Sequence, residues 1–188
     1  MDSIDLVKSI LSKYYITREI SNSDEFKEIC KREVDLQKFN EVFNKLIDLE
    51  DGDFVGDLFY IGFILKFFNK DHEKHIKMLL NLNWHQKHED IVDFFQKSFN
   101  NKQDNINILL LAIDNVPDYL SPDDFKYPYI RKIIYAIGAQ PEPYNIEALK
   151  KLTKQTEDQE IKNLALHQIE KRKELGRWEF NENQESKS

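Results

Sequence analysis

Tyr129-Ile130-Arg131-Lys132-Ile133-Ile134-Tyr135-Ala136-Ile137 and Glu160-Ile161-Lys162-Asn163-Leu164-Ala165-Leu166-His167-Gln168-Ile169 decide the fold. Set at an offset of 31 residues, the two stretches place apolar side chains three and four apart, the spacing of one face of a helix. Between them Pro141-Glu142-Pro143 forces a turn, and Asn145 to Lys154 carries Ile146, Leu149 and Leu152 on one stripe. A helix pair that recurs every ~30–45 residues is the mark of a solenoid, in which each pair buries its apolar stripe against its neighbours.

Helix ends around these copies are also written in the chain. Ser121-Pro122-Asp123-Asp124 reads as a capping serine, a proline in the first turn and acids behind it. Tyr127-Pro128 is expected to interrupt, because the residue before proline avoids the helical region. Gly138 is expected as a left-handed stop, and Thr156-Glu157-Asp158-Gln159 as a second capping box.

Working outward, His88 to Phe99 with Asn105 to Val116 fits the same scheme at a looser spacing, within a helix expected from Trp84 to Phe99. Further upstream, Ile4, Val7, Ile10, Leu11 and Tyr14 form one stripe, and Asp24 to Cys30 follows the Ser21-Asn22-Ser23 break. Leu36, Phe39, Val42, Phe43, Leu46 and Ile47 form the next stripe, and His72 to Leu82 another helix. Phe54 to Phe68 is apolar nearly all round, which predicts a central helix covered on several sides. The expected fold class is all-α.

Tyr129 to Lys171, with its isoleucine-rich first helix and the Glu147-Ala148-Leu149-Lys150-Lys151-Leu152 second helix, resembles a HEAT-type repeat. Trp84-His85-Gln86-Lys87-His88-Glu89-Asp90-Ile91, followed by Asp118-Tyr119-Leu120 and Asp123-Asp124, resembles a group of small bacterial HEAT-repeat proteins sharing Trp-His-x-x-His-Glu-Asp-Ile. Some of that group resemble immunity partners of toxins used in bacterial competition. The resemblance implies a HEAT-like helical-repeat solenoid with N-terminal capping helices. Residues 1–180 are then a single domain, with capping helices and the central apolar helix in 1–83 and helix pairs in 84–176. Trp178-Glu179-Phe180 is expected to cover the last repeat, and 181–188 to be a disordered tail.

Charge narrows the function. In 188 residues 27 Lys and Arg face 34 Asp and Glu, for a net charge of −7. That balance lacks the basic footprint of a nucleic-acid or anionic-membrane binder, and it suits attraction of a basic protein by long-range steering. One cysteine, Cys30, excludes an internal disulfide framework and a cysteine-rich zinc site. Met1-Asp2-Ser3-Ile4-Asp5 lacks a signal-peptide pattern, and Leu58 to Phe68 is too short for a membrane-spanning helix of ~20 residues. A cytoplasmic monomer is the expectation.

His72, His75, His85 and His88 fall within 17 residues, in two pairs three apart. Such imidazoles could hold a metal if Glu89 or Asp90 completed the shell, although no His-Glu-x-x-His or Glu-x-x-His pattern occurs. Alternatively, His85 and His88 cap or cross-link helices above a buried Trp84. Nucleophilic chemistry finds no Gly-x-Ser-x-Gly turn, and a lone helical Cys30 reads as packing. Acids cluster instead: Asp48, Glu50, Asp51, Asp53 and Asp57 without an intervening base, and Asp118, Asp123 and Asp124 around a loop.

The expected function is non-catalytic binding of a basic protein, and the resemblance implies an immunity protein that neutralises a basic, nuclease-like toxin. Its partner-binding face is expected to comprise Trp84, His85, His88, Glu89, Asp90, Asp118, Tyr119, Asp123, Asp124 and Tyr127, with no cofactor or metal. A metal-dependent hydrolase built on the four histidines, or a general repeat scaffold, stands as the alternative.

Overall fold

A computed structural model describes residues 2–175; the expectations for Trp178 to Phe180 and for the 181–188 tail lie outside them. Every regular element among the described residues is helical. The chain divides into two compact units, Met1–Lys87 and His88–Ser188.

The first unit contains α1 (Ser3–Tyr15), α2 (Ser23–Glu33), α3 (Leu36–Leu49), α4 (Gly52–Leu65) and α5 (Glu73–Leu79), the last entered through a 3-10 turn at Lys70–His72. Asp2, Asn22, Asp35 and Asp51 cap α1 to α4, each side chain accepting a backbone N–H of the first turn. Val7, Phe26, Phe39, Phe43, Leu46, Leu58 and Phe59 are buried and form the core.

Phe54 to Phe68 is not one helix, and it is not covered all round. α4 stops at Leu65; Lys66 takes a left-handed conformation (φ 55°), and the Phe67 N–H returns to the Gly62 carbonyl at 2.9 Å. Phe68 then folds back among Phe39, Phe43 and Phe59, with ring centroids 5.6, 5.7 and 5.4 Å away. A left-handed lysine costs ~1–2 kcal/mol, and aromatic pairs worth ~0.5–1.5 kcal/mol each offset it. Phe63 remains half exposed.

The second unit contains α6 (His88–Lys97), α7 (Asp104–Asp114), α8 (Asp123–Ala139), α9 (Tyr144–Gln155) and α10 (Gln159–Leu175). α8 is its centre and packs on α6, α7, α9 and α10. Tyr129, Ile130, Ile133, Ile134, Ala136 and Ile137 are fully buried along it.

Local signals are overruled here in four places. The expected helix from Trp84 begins only at His88. Tyr127-Pro128 does not interrupt, since α8 runs through Pro128. Proline at that point forfeits the bond to the Asp124 carbonyl, a cost offset by burial of Tyr129 and Ile130, worth roughly 1.5–3 kcal/mol each. Ser121 does not cap α8: its hydroxyl donates to the Asp118 carbonyl at 2.8 Å and closes the preceding 3-10 turn, Asp118–Leu120. Before α10 the cap is Asp158, which accepts the N–H groups of Glu160 and Ile161 at 3.0 and 3.2 Å.

Gly138 lies inside α8, which ends at Ala139 with Gln140 extended. Its role is close approach: a Cβ there would collide with the buried Gln168 amide of α10.

Buried amides close the helix ends. Asn105, the second residue of α7, donates to the Phe99 carbonyl at 2.6 Å. Asn145, the second residue of α9, donates likewise to the Gly138 carbonyl at 3.0 Å. Gln140 donates to the carbonyls of Phe95 and Ala136 at 2.8 and 3.1 Å, so the last turns of α6 and α8 share one amide.

The Gly138 contact makes a prediction. Alanine gains ~1 kcal/mol in helix propensity, but overpacking costs ~1–3 kcal/mol. Gly138→Ala should lose about 1–2 kcal/mol in urea unfolding, and Gln168→Ala in the same background should recover part of the loss by removing the obstructing amide.

Candidate functional site

The Trp84-to-Ile91 stretch falls across the division between the units. Trp84 to Lys87 form a turn at the end of the first unit, and His88 opens α6 of the second.

His85 is 1% exposed. Its Nε2 lies 2.8 Å from the Leu79 carbonyl, and its Nδ1 lies 3.1 Å from the Lys87 N–H. A carbonyl can only accept and an amide N–H can only donate, so Nε2 carries the proton and Nδ1 does not. The ring is a neutral clip that joins the end of α5 to the turn before α6. Burial holds its pKa below the ordinary 6.5, against the raising effect of the Leu79 bond.

His72 and His75 also pack into the first unit, both against Phe43, whereas His167 is exposed. His72 bridges Asn69 and Asn40, with Nε2 3.0 Å from Asn40 Oδ1, and it packs edge-on against Phe43. Burial lowers the pKa of His72 and of His75. Among the described residues no three His, Cys, Asp or Glu side chains are grouped to hold a metal ion. Cys30 is fully buried, which pushes its thiol up to about 12 and makes it inert.

In the second unit His88, fully buried, meets Tyr119 across 31 residues of chain through a 3.1 Å hydrogen bond between Nδ1 and the phenol. This joins the two halves of the resemblance motif. Burial pushes the Tyr119 phenol up to about 12, with Glu89 and Asp90 adding to the effect. Glu89 is paired with Lys132 at 2.9 Å, and Tyr127 donates to Asp158 at 3.2 Å. Thus His85 and His88 are interior groups, unavailable as contacts in this conformation. Asp118, Asp123 and Asp124 are exposed, and among the described residues no basic side chain forms an ion pair with them. Phe125, next to them, is 57% exposed.

A cleft of about 630 Å³ opens in the first unit, lined by Tyr15, Asp53, Asp57, Tyr60, Trp84 and Lys87 among others. Burial raises the Asp57 pKa above the usual carboxylate range, while the Tyr15 hydroxyl bonded to it works in the opposite direction. Tyr15 is pushed up to about 12 by burial and by the Asp57 charge. Tyr15 and Tyr60 are absent from the expected site, because only folding brings α1, α4 and the 84–87 turn together. Comparison with protein-family models, curated proteins and solved structures gives no match. The site rests on its own geometry.

The His85 clip has a pH signature. Its folded pKa is depressed, so the unfolded chain binds the extra proton; the stabilisation is complete above about 6.5 and is lost as pH falls below it. Between pH 7 and 5.5 the urea midpoint of the wild type should fall further than that of His85→Gln, which cannot titrate. His72 and His75 act in the same direction in both proteins, so the difference isolates His85.

Proposed function

We propose that the chain is a non-catalytic protein-binding module of HEAT-like repeat type whose partner is a basic protein. More narrowly, we propose an immunity protein that occludes a cationic, nuclease-like toxin of bacterial competition, acting as a cytoplasmic monomer. The observation that carries this is the edge of the second unit, where Asp118, Asp123 and Asp124 stand exposed beside the exposed ring of Phe125.

Acids at the start of α8 complement its dipole, and this accounts for part of their placement. Asp118 lies before that helix and gains nothing from it. Three carboxylates around an exposed aromatic fit a binding edge: charge accelerates encounter, and the desolvated ring lengthens residence. Repetition supports the HEAT-like reading through the 31-residue offset of α8 and α10 and the equivalent amides Asn105 and Asn145.

The test uses whatever basic domain the adjacent gene encodes; an adjacent gene without one counts against the immunity reading. Association with the wild type should slow steeply as salt rises from ~50 to ~300 mM, where the screening length shrinks below ~10 Å. Asp118→Asn/Asp123→Asn/Asp124→Asn should reduce the association rate about ten-fold, with the circular dichroism spectrum unchanged. Binding that ignores both salt and the triple substitution overturns the proposal, and so does the absence of binding.

A further inference from the structure

Gly52-Asp53-Phe54-Val55-Gly56-Asp57 repeats a Gly-Asp pair four residues apart, so α4 presents glycine above glycine and carboxylate above carboxylate on neighbouring stripes. For folding alone this is a poor choice. Glycine inside a helix is unfavourable relative to alanine, and like charges at this spacing repel. Phe54, Val55 and Leu58 fill the buried face, and Gly52 is required by the close approach of the Trp84 backbone.

The pattern also shapes the cleft. A Cβ on Gly52 would strike the Trp84 carbonyl, and one on Gly56 would lie 2.8 Å from Cε of Lys87. The Lys87 stem therefore lies against the glycine floor, with Nζ 3.6 Å from that same Cβ position. The charge of Lys87 reaches Asp57 and favours its ionised form. The aromatic rings of Tyr15, Tyr60 and Trp84 complete the walls. The cleft, about 630 Å³, is wide open to solvent, and Tyr15, Asp53 and Tyr60 stand exposed at its walls.

We propose that this cleft is a receptor for a guanidinium group, seated between Asp53 and Asp57 against the aromatic walls, with the Lys87 ammonium as the internal cation it displaces. Two carboxylates repel an anion. A guanidinium is planar, stacks on aromatic faces, bonds carboxylates through two N–H groups, and is more weakly hydrated than an ammonium. The same chemistry is carried by an arginine side chain of a protein and by a small free guanidinium compound. The proposal uses only residues of the first unit and stands without the binding edge of the second.

Trp178→Phe leaves Trp84 as the only tryptophan, so its fluorescence reports on the cleft. N-acetyl-arginine amide and methylguanidinium are titrated at low ionic strength, with N-acetyl-citrulline amide as the neutral isostere. The expected result is a saturable change with the cationic probes and none with citrulline. Asp53→Asn and Asp57→Asn should each weaken binding about ten-fold, as loss of a charged hydrogen bond does, and Lys87→Gln should tighten it several-fold. Tighter binding of the arginine amide assigns a protein-borne side chain, and tighter binding of methylguanidinium a small free cation. An equal response to citrulline, no response to either cation up to ~10 mM, or full binding by a folded Asp57→Asn variant overturns the proposal.

Discussion

Short helices leave many backbone groups at their ends, and a buried end without partners costs roughly 1–3 kcal/mol per group. In this protein aspartates cap α1, α3, α4 and α10 locally, and several buried carbonyls near helix ends are met by imidazole and amide side chains turned inward. His85 ties the Leu79 carbonyl to the Lys87 N–H; Gln140 and Asn145 hold carbonyls in the last turns of α6 and α8, and Asn105 holds the Phe99 carbonyl just after α6. Each of these side chains is 1% exposed or less. Uncharged polar groups do this work at low cost because they bring hydrogen-bonding capacity without a charge to desolvate.

Apart from Glu73, which is buried and paired with Lys77 at 2.8 Å, most carboxylates are left at the surface. Asp51 is used locally, capping α4 and pairing with Lys8 at 3.0 Å, but Asp53 and Asp57 look into the cleft and Asp118, Asp123 and Asp124 into solvent. A surplus of negative charge held on fixed helices is costly as self-repulsion and useful as an attractor for cations. Both proposed sites draw on it, one through an exposed edge and one through a recess with aromatic walls.

Helical class was legible because it rests on local spacing: Ile130, Ile133, Ile134 and Ile137 are all buried on α8 as the three-and-four rule requires. Helix ends were less so, because neighbouring candidates competed. Ser121 and Asp158 show how tertiary placement decides which polar side chain caps and which closes a turn. Gly138 carried a stop signal, yet the space it leaves is filled by Gln168, thirty residues later. The histidine spacing suggested ligands, and only the positions of Leu79, Asn40 and Tyr119 reveal what the rings hold. The acidic run was visible, but its partners Tyr15 and Trp84 lie far along the chain in either direction.

The central claim is that the buried histidines are structural groups, with His85 holding backbone, and that the carboxylates of the two proposed sites are the groups offered to a ligand. The most direct measurement follows the imidazole nitrogens by NMR between pH 5 and 8, with and without Zn²⁺. His85 should remain the neutral Nε2–H tautomer down through 6.5 and should not respond to zinc. An Nδ1–H tautomer, protonation above 6.5, or a stoichiometric zinc shift shared by several histidines would contradict the account.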